Sequence, residues 1–344
     1  MGSSDIVIRP VAETDLDDLI ELARLAGPGM TSLPSDPEIL EQRVLASLEA
    51  CRKLTEEPEG ESYLFVAEDR ENNQLAGTAG IVSRVGGFEP FYAFRIETEE
   101  HSSESINLSS TNKHLSLVKD HDGPCELTGL FVHPDYRETG LGTILSRSRL
   151  LYVANSPDQF DSTVIAELRG QVDENGVPPF WRDVMRNFFP MDFGTADGMT
   201  LRNKEFIDDL VPEHPIYLSL ISEAARSAIG AVHTRTRPAA EILKAEGFER
   251  TDTVDIFDAG AILSCPRDDV KTISSTREFT VSASLPSREI NSFWLVASFS
   301  PEYRSTKTRL KADSDGTCKI PKATIDRLSI SIGDSIKAVP CSPS

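Results

Sequence analysis

Cys125-Glu126-Leu127-Thr128-Gly129-Leu130-Phe131-Val132-His133, running straight into Pro134-Asp135-Tyr136-Arg137-Glu138-Thr139-Gly140-Leu141-Gly142, is the stretch that decides the fold. The first run reads as a strand interrupted by Gly129, and a glycine inside a strand marks a bulge or a close backbone approach. The second run turns directly into a helix whose buried face takes Leu141, Ile144, Leu145, Leu151 and Tyr152 at helical spacing. Arg137-x-x-Gly140-x-Gly142 at that junction allows consecutive N–H groups to turn inward as an anion nest, with the helix dipole adding to the attraction. The same residues also suit a plain turn before a helix, so the motif alone names no ligand.

Working outward, Ile6–Pro10 reads as a short strand, with Thr14 as the cap of a helix that presents Leu16, Leu19, Ile20 and Ala23 and ends at Gly27. A second helix is expected over 38–48, then a hairpin of Tyr63–Ala67 and Gln74–Val82. Residues 84–122 are polar, and only Phe88–Ile96 suggests a strand. Beyond the deciding stretch come a strand at 163–168, a mostly helical insertion at about 170–235, a helix at 239–246 closed by Gly247, and a last core strand at 253–257. From about 270 the texture changes to short β runs at 279–283, 293–299, 319–321 and 335–339. The expected organisation is a body over 1–270 and a small β-rich C-terminal domain over 271–344.

Composition narrows the function. The chain has 344 residues and carries 55 acidic against 35 basic residues, for a formal net charge of −20. That field repels phosphate backbones, so nucleic acid is not the expected partner. It favours a cationic substrate or simply keeps the protein soluble; an anionic ligand needs a local basic or amide-lined pocket. No apolar run reaches membrane-spanning length, and the N-terminus lacks a signal-peptide or myristoylation pattern, so a cytoplasmic location is expected. Five scattered cysteines without CxxC spacing read as free thiols, and no metal site is expected. There is no GxGxxG after a strand, no GxxxxGK[ST], no GxSxG and no HExxH.

The glycine-bearing strand, the RxxGxG loop and the downstream helix-Gly-Phe ending at Gly247-Phe248 together resemble the coenzyme A-binding core of the GNAT acyltransferase superfamily. A closer resemblance covers most of the chain. Ile8-Arg9-Pro10-Val11, Thr31-Ser32-Leu33-Pro34, Tyr63-Leu64-Phe65-Val66, Ala166-Glu167-Leu168-Arg169-Gly170, Pro179-Phe180-Trp181, Phe188–Phe193, His214–Tyr217, Ile229–His233 and Asp255–Gly260 are similar to the arginine N-succinyltransferase family. The match is strong over about 6–265 and weak in the C-terminal segment.

The resemblance implies an α/β fold: a GNAT-like core with a mixed, largely antiparallel sheet flanked by helices. It implies succinyl-CoA as co-substrate, with no permanently bound cofactor, and the α-amine of L-arginine as acceptor. It also implies a succinyl-CoA-binding position at Leu130, with Arg137, Gly140 and Gly142 in the cofactor loop, and His233 as catalytic proton donor. An assembly of like subunits, or of this chain with a related one, fits the same family. The chemistry is coherent, because a neutral amine attacks a thioester directly and needs no protein nucleophile. The protein must align the reactants, stabilise an oxyanion, most plausibly with a backbone N–H near Leu130, and supply a proton to the thiolate. Guanidinium recognition calls for carboxylates, and Glu167 and Asp173 are the candidates. Other readings stay open: ornithine as acceptor, acetyl-CoA as donor, or a non-catalytic subunit of a heteromeric enzyme.

Overall fold

The computed structural model describes residues 5–27, 30–53 and 55–341. Strand β1 (Ile6–Pro10) leads through a 3-10 turn into helix α1 (Leu16–Ala26). Thr14 does not cap this helix. Instead the buried Asp15 carboxylate accepts the Ala12 N–H at 2.7 Å and both terminal nitrogens of Arg9 at 2.7 and 2.9 Å. A charge-assisted fork therefore fixes the helix entry where a hydroxyl was expected. Helix α2 (Pro37–Arg52) is capped by Asp36 and extends a turn beyond the expected end. The hairpin β2 (Ser62–Asp69) and β3 (Gln74–Val82) forms as its alternation predicts.

The polar segment expected to be mostly loop is in fact a long hairpin, β4 (Gly86–Ser103) and β5 (Leu108–Asp122), paired from Phe91↔Asp120 to Ser103↔Leu108. Its outer half is exposed on both faces, so it needs no alternating apolar residues and leaves no period-two signal. His101, His114 and His121 lie on these strands, and His114 is buried with Nε2 3.1 Å from Glu97 Oε2.

Strand β6 (Cys125–Val132), helix α3 (Leu141–Val153) and β7 (Thr163–Glu167) follow as expected. The insertion is less helical than expected. It holds short helices α4 (Pro179–Asp183), α5 (Phe193–Met199), α6 (Glu205–Leu210) and α7 (Glu223–Ala228), with the two-residue strand β8 (Ile216–Tyr217) between the last two. What holds it is an aromatic core: Trp181 stacks on Phe189 at 5.6 Å and meets Phe257 edge-on, and all three are buried.

After α8 (Arg237–Ala245) come β9 (Glu249–Val254) and β10 (Ala261–Pro266). The strand expected at 253–257 breaks because the Asp255 carboxylate accepts the N–H groups of Phe257 and Asp258, folding the chain into a turn. The C-terminal segment comprises α9 (Lys271–Ser274), β11 (Arg277–Ser284), β12 (Phe293–Ser298), β13 (Arg304–Arg309), β14 (Lys311–Ala312), β15 (Thr317–Ile320), α10 (Lys322–Leu328) and β16 (Ser335–Cys341).

These strands join one 16-stranded sheet in the order β14-β15-β11-β16-β12-β13-β1-β2-β3-β6-β7-β10-β9-β4-β5-β8. The mixed, largely antiparallel α/β architecture is the one the resemblance implied. On one face α3 packs through Leu145 and Leu151 over Phe65, Leu127 and Val164; on the other, α1 and α2 pack over Leu64, Val66 and Phe131. The C-terminal segment has its own cluster around Phe279, Val281, Trp294 and Ile336. It also touches the main core through Leu295, Ala297 and Tyr303, whose hydroxyl donates to Ser148 O in α3 at 2.6 Å. No helix among the described residues is long and apolar enough to cross a membrane.

Candidate active site

The site begins where two parallel strands part. β6 and β7 pair at Cys125↔Val164 and Glu126↔Ile165, and the ladder stops there although both strands run on. On its other side β6 stays paired with β3, but the register slips between Gly80↔Thr128 and Thr78↔Phe131. Gly129 sits in the slip with φ +62°, a conformation that a side chain would strain. The bulge exchanges the faces of the strand: Cys125 and Leu127 point to the α3 core, and past it Leu130 and Val132 do, while Phe131 turns to α1 and α2. Unpaired strand edge inside a sheet offers N–H and C=O groups to an extended amide-bearing ligand.

Beyond the wedge lies the glycine loop. Tyr136 anchors it, donating to Asp69 Oδ2 and accepting from Gln74 Nε2, both at 2.6 Å. Glu138 and Gly140 then take φ of +63° and +82°, and α3 starts with its first-turn amides free of intrahelical partners. Arg137 lies against Phe131 with its guanidinium 5.7 Å from the ring centroid, and its Nε donates to Val132 O at 3.3 Å. Gly142 has an ordinary φ, and an added Cβ would stand 3.6 Å from Val132 and 4.0 Å from Ile242. The left-handed glycine of the loop is Gly140. Gly142→Val is therefore expected to keep its melting temperature and lose at least about tenfold in coenzyme A affinity, because the branched side chain fills the approach to the helix N-terminus. Calorimetric titration alongside a thermal melt checks both halves.

His233 reaches the wedge from the loop before α8. Its N–H donates to Arg169 O at 2.8 Å, just past the end of β7. A knot behind it holds both segments: Asp258 accepts the N–H groups of Gly170 and Gly260, each at 2.7 Å, and Gly230 N donates to Ala259 O at 2.6 Å. His233 Nδ1 accepts the Arg235 N–H at 3.1 Å, so the neutral ring carries its proton on Nε2, which is left open among the described residues. Partial burial first, then the cations Arg169 and Arg235, lower its pKa below the ordinary value.

Carboxylates gather beside these strands. Glu126 and Glu167 project from β6 and β7 on the face away from α3, and each feels Lys204. Glu167 is exposed at its surface but sits in a densely packed acidic neighbourhood; desolvation, then the charges of Glu126 and Asp255, push its pKa well above the usual range. Burial also raises Glu126 despite the pull of Lys204, Arg43 and Arg149. Asp197, from the insertion, is pushed up to about 7 by burial and by Asp255. Such a set of mutually crowding acids is an incomplete charge balance that a cation would complete. Arg43 donates to Ser32 O at 2.6 Å, placing the Thr31–Pro34 loop over the bulge.

Compared with known proteins, the chain matches the sequence profile "Arginine N-succinyltransferase beta subunit" over residues 6–272. It is 37% identical over 338 residues to arginine N-succinyltransferase subunit beta of Pseudomonas aeruginosa, covering 98% of each chain. It is equally similar, at 37% and 97% of each chain, to the arginine N-succinyltransferase of Escherichia fergusonii. The chain belongs to the arginine N-succinyltransferase family. The solved structure of arginine/ornithine succinyltransferase subunit AI from P. aeruginosa superposes with a TM-score of 0.89 at 32% identity, covering 98% of this chain and 99% of that one.

Within this arginine N-succinyltransferase-family fold, Leu130 follows the bulge on β6, Arg137 and Gly140 lie in the loop after it and Gly142 in the first turn of α3, while His233 is tied to Arg169 just past β7. Of the two guanidinium candidates, Glu167 is in the acid group. Asp173 is not; it ties a turn, accepting the N–H groups of Asn175 and Val177 and pairing with Arg182 at 3.1 Å. Glu126 was overlooked, although an acid alternating with Cys125 and Leu127 in a core strand is a visible signal. Asp197 had none, because only the tertiary fold brings the insertion over β7.

Proposed function

We propose that this protein transfers a succinyl group from succinyl-CoA to the α-amine of L-arginine, releasing coenzyme A. The observation that carries this reading is a cleft with two chemically opposite ends. One end is a helix N-terminus and glycine loop suited to a diphosphate; the other is the crowded acid group of Glu126, Glu167, Asp197 and Asp255, suited to a guanidinium.

The coenzyme A chain lies in the wedge between β6 and β7, with Leu130 beside the thioester. The α-amine attacks the thioester carbon, a C–N bond forms, and negative charge gathers on the carbonyl oxygen near the bulge amides. Collapse breaks the C–S bond; the new amide nitrogen sheds its surplus proton to water, and the thiolate takes a proton from Nε2 of the imidazolium form of His233, which regains one from water. Arg169 and Arg235 oppose a charged imidazole in the empty cleft. The carboxylate and phosphates of succinyl-CoA offset that repulsion when they bind. Related enzymes named as subunits support assembly with further copies or a related chain.

Thiol release measured for succinyl-, acetyl- and glutaryl-CoA against arginine, ornithine and lysine tests the reading. Succinyl-CoA with arginine is expected to give the highest kcat/KM. The P. aeruginosa structure named for arginine and ornithine makes ornithine the second acceptor to try. Faster turnover with acetyl-CoA would overturn the donor assignment, and no turnover with any pair would favour a non-catalytic subunit.

A further inference from the structure

Arg149, on α3, is the only lysine or arginine in the fully buried class among the described residues, with 3% of its surface exposed. Its guanidinium has no carboxylate within ion-pair distance there. Nη1 donates to Thr128 O at 2.8 Å and to Gly80 O at 3.1 Å, Nη2 lies 3.3 Å from Ser146 Oγ, and Nε finds no partner. Burial lowers its pKa only to about 10, so it remains charged at neutral pH. A buried cation bonded only to neutral groups is costly, and an apolar side chain of similar volume would serve packing better.

Its location suggests why it is there. Gly80 and Thr128 are partners across the β3–β6 ladder at the point where the register slips, so Arg149 braces the bulge from behind. Thr128 O belongs to the same peptide group as the Gly129 N–H. A cation on a carbonyl oxygen draws electron density through the amide and makes its N–H a stronger donor.

We infer that Arg149 is a positioning residue for acyl transfer: from behind β6 it holds the Gly129 bulge and polarises the Thr128–Gly129 peptide toward the oxygen of the bound thioester. This rests on the reading of the bulge as the thioester site. Arg149 itself touches no substrate; it acts through the backbone.

The test compares Arg149→Lys, which keeps the charge, with Arg149→Gln, which keeps a neutral donor. Each is assayed for kcat, for both KM values, for coenzyme A affinity by calorimetry, and for the infrared C=O stretch of isotope-labelled succinyl-CoA bound without acceptor. Loss of a whole oxyanion donor typically costs about 10²–10³-fold in kcat, so weakening one in Arg149→Gln is expected to cost roughly ten- to a hundredfold. Its thioester stretch should return toward the free value, with coenzyme A affinity unchanged; Arg149→Lys should lie between it and the wild type in both kcat and stretch. Wild-type kcat and stretch in the Gln variant overturn the inference, as does a slower Lys than Gln variant. If the Gln variant fails to fold, the Lys variant decides: a reduced kcat with an unmoved stretch overturns the inference, and parallel changes support it. A wild-type stretch equal to that of free succinyl-CoA would instead remove the bulge as the thioester site.

Discussion

His233→Ala is expected to lower kcat by about 10²–10⁴-fold, the usual worth of general acid catalysis, with a nearly unchanged KM for succinyl-CoA. The geometry makes this specific. Nε2 is the ring nitrogen without a partner among the described residues, so it is the one available to hand a proton to the thiolate. A glutamine at this position can donate a hydrogen bond but cannot give up a proton, and it is expected not to rescue turnover. The wild type should show a limb of kcat that declines as pH rises past the imidazolium pKa, and His233→Ala should lack it. If saturating arginine restores full turnover to the alanine variant, the histidine binds the acceptor and the proton-donor role is lost.

Glu167→Gln is expected to weaken arginine binding by roughly tenfold, the scale for removing one member of a solvent-screened charge pair, while leaving succinyl-CoA binding intact. The same substitution should stabilise the ligand-free protein. An acid whose pKa rises on folding binds more protons folded than unfolded between the two values, so its contribution to stability falls as pH climbs through that window. Removing the titration should therefore raise Tm more at pH 8 than at pH 5. Arginine binding by the wild type should tighten as pH rises through about 7, where Asp197 loses its proton. Melts at two pH values and calorimetric titrations with arginine check all three. Unchanged arginine affinity in Glu167→Gln would place the guanidinium elsewhere.

How much of this was legible in the sequence depends on what each residue had to signal. The bulge at Gly129 and the helix after Gly140 were readable because glycine in a strand and glycine before an apolar helix are local statements about backbone. The β4–β5 ribbon was not, since a strand exposed on both faces can be built from Glu, Ser, Thr and Asn without any period. Strand β13 was missed for a different reason: Arg304–Arg309 has no aliphatic residue, and its buried faces are Ser305, Thr306 and Thr308. In the site, His233 was found only through family resemblance, because its Thr-Arg-Thr-Arg surroundings read as loop. Arg149 gives no signal in the sequence, and only the three-dimensional fold shows that it points inward at two carbonyls.

The place of β1 in the sheet has a consequence for how the protein is made. It lies between β2, which is synthesised soon after it, and β13, where Ile8 pairs with Ser305. The β1 strand thus keeps a bare edge until the segment around Ser305 has followed. Helix α3 waits as well, since Tyr303 and the Lys337 ammonium, which donates to Ala154 O, grip it from segments translated late. The sheet and its α3 layer can therefore close only once the segments around Ser305 and Lys337 are available, with long-range closure as the slow step. During that interval the exposed edge of β1 is open to any other nascent strand, which makes this seam the natural point of misassembly at high expression.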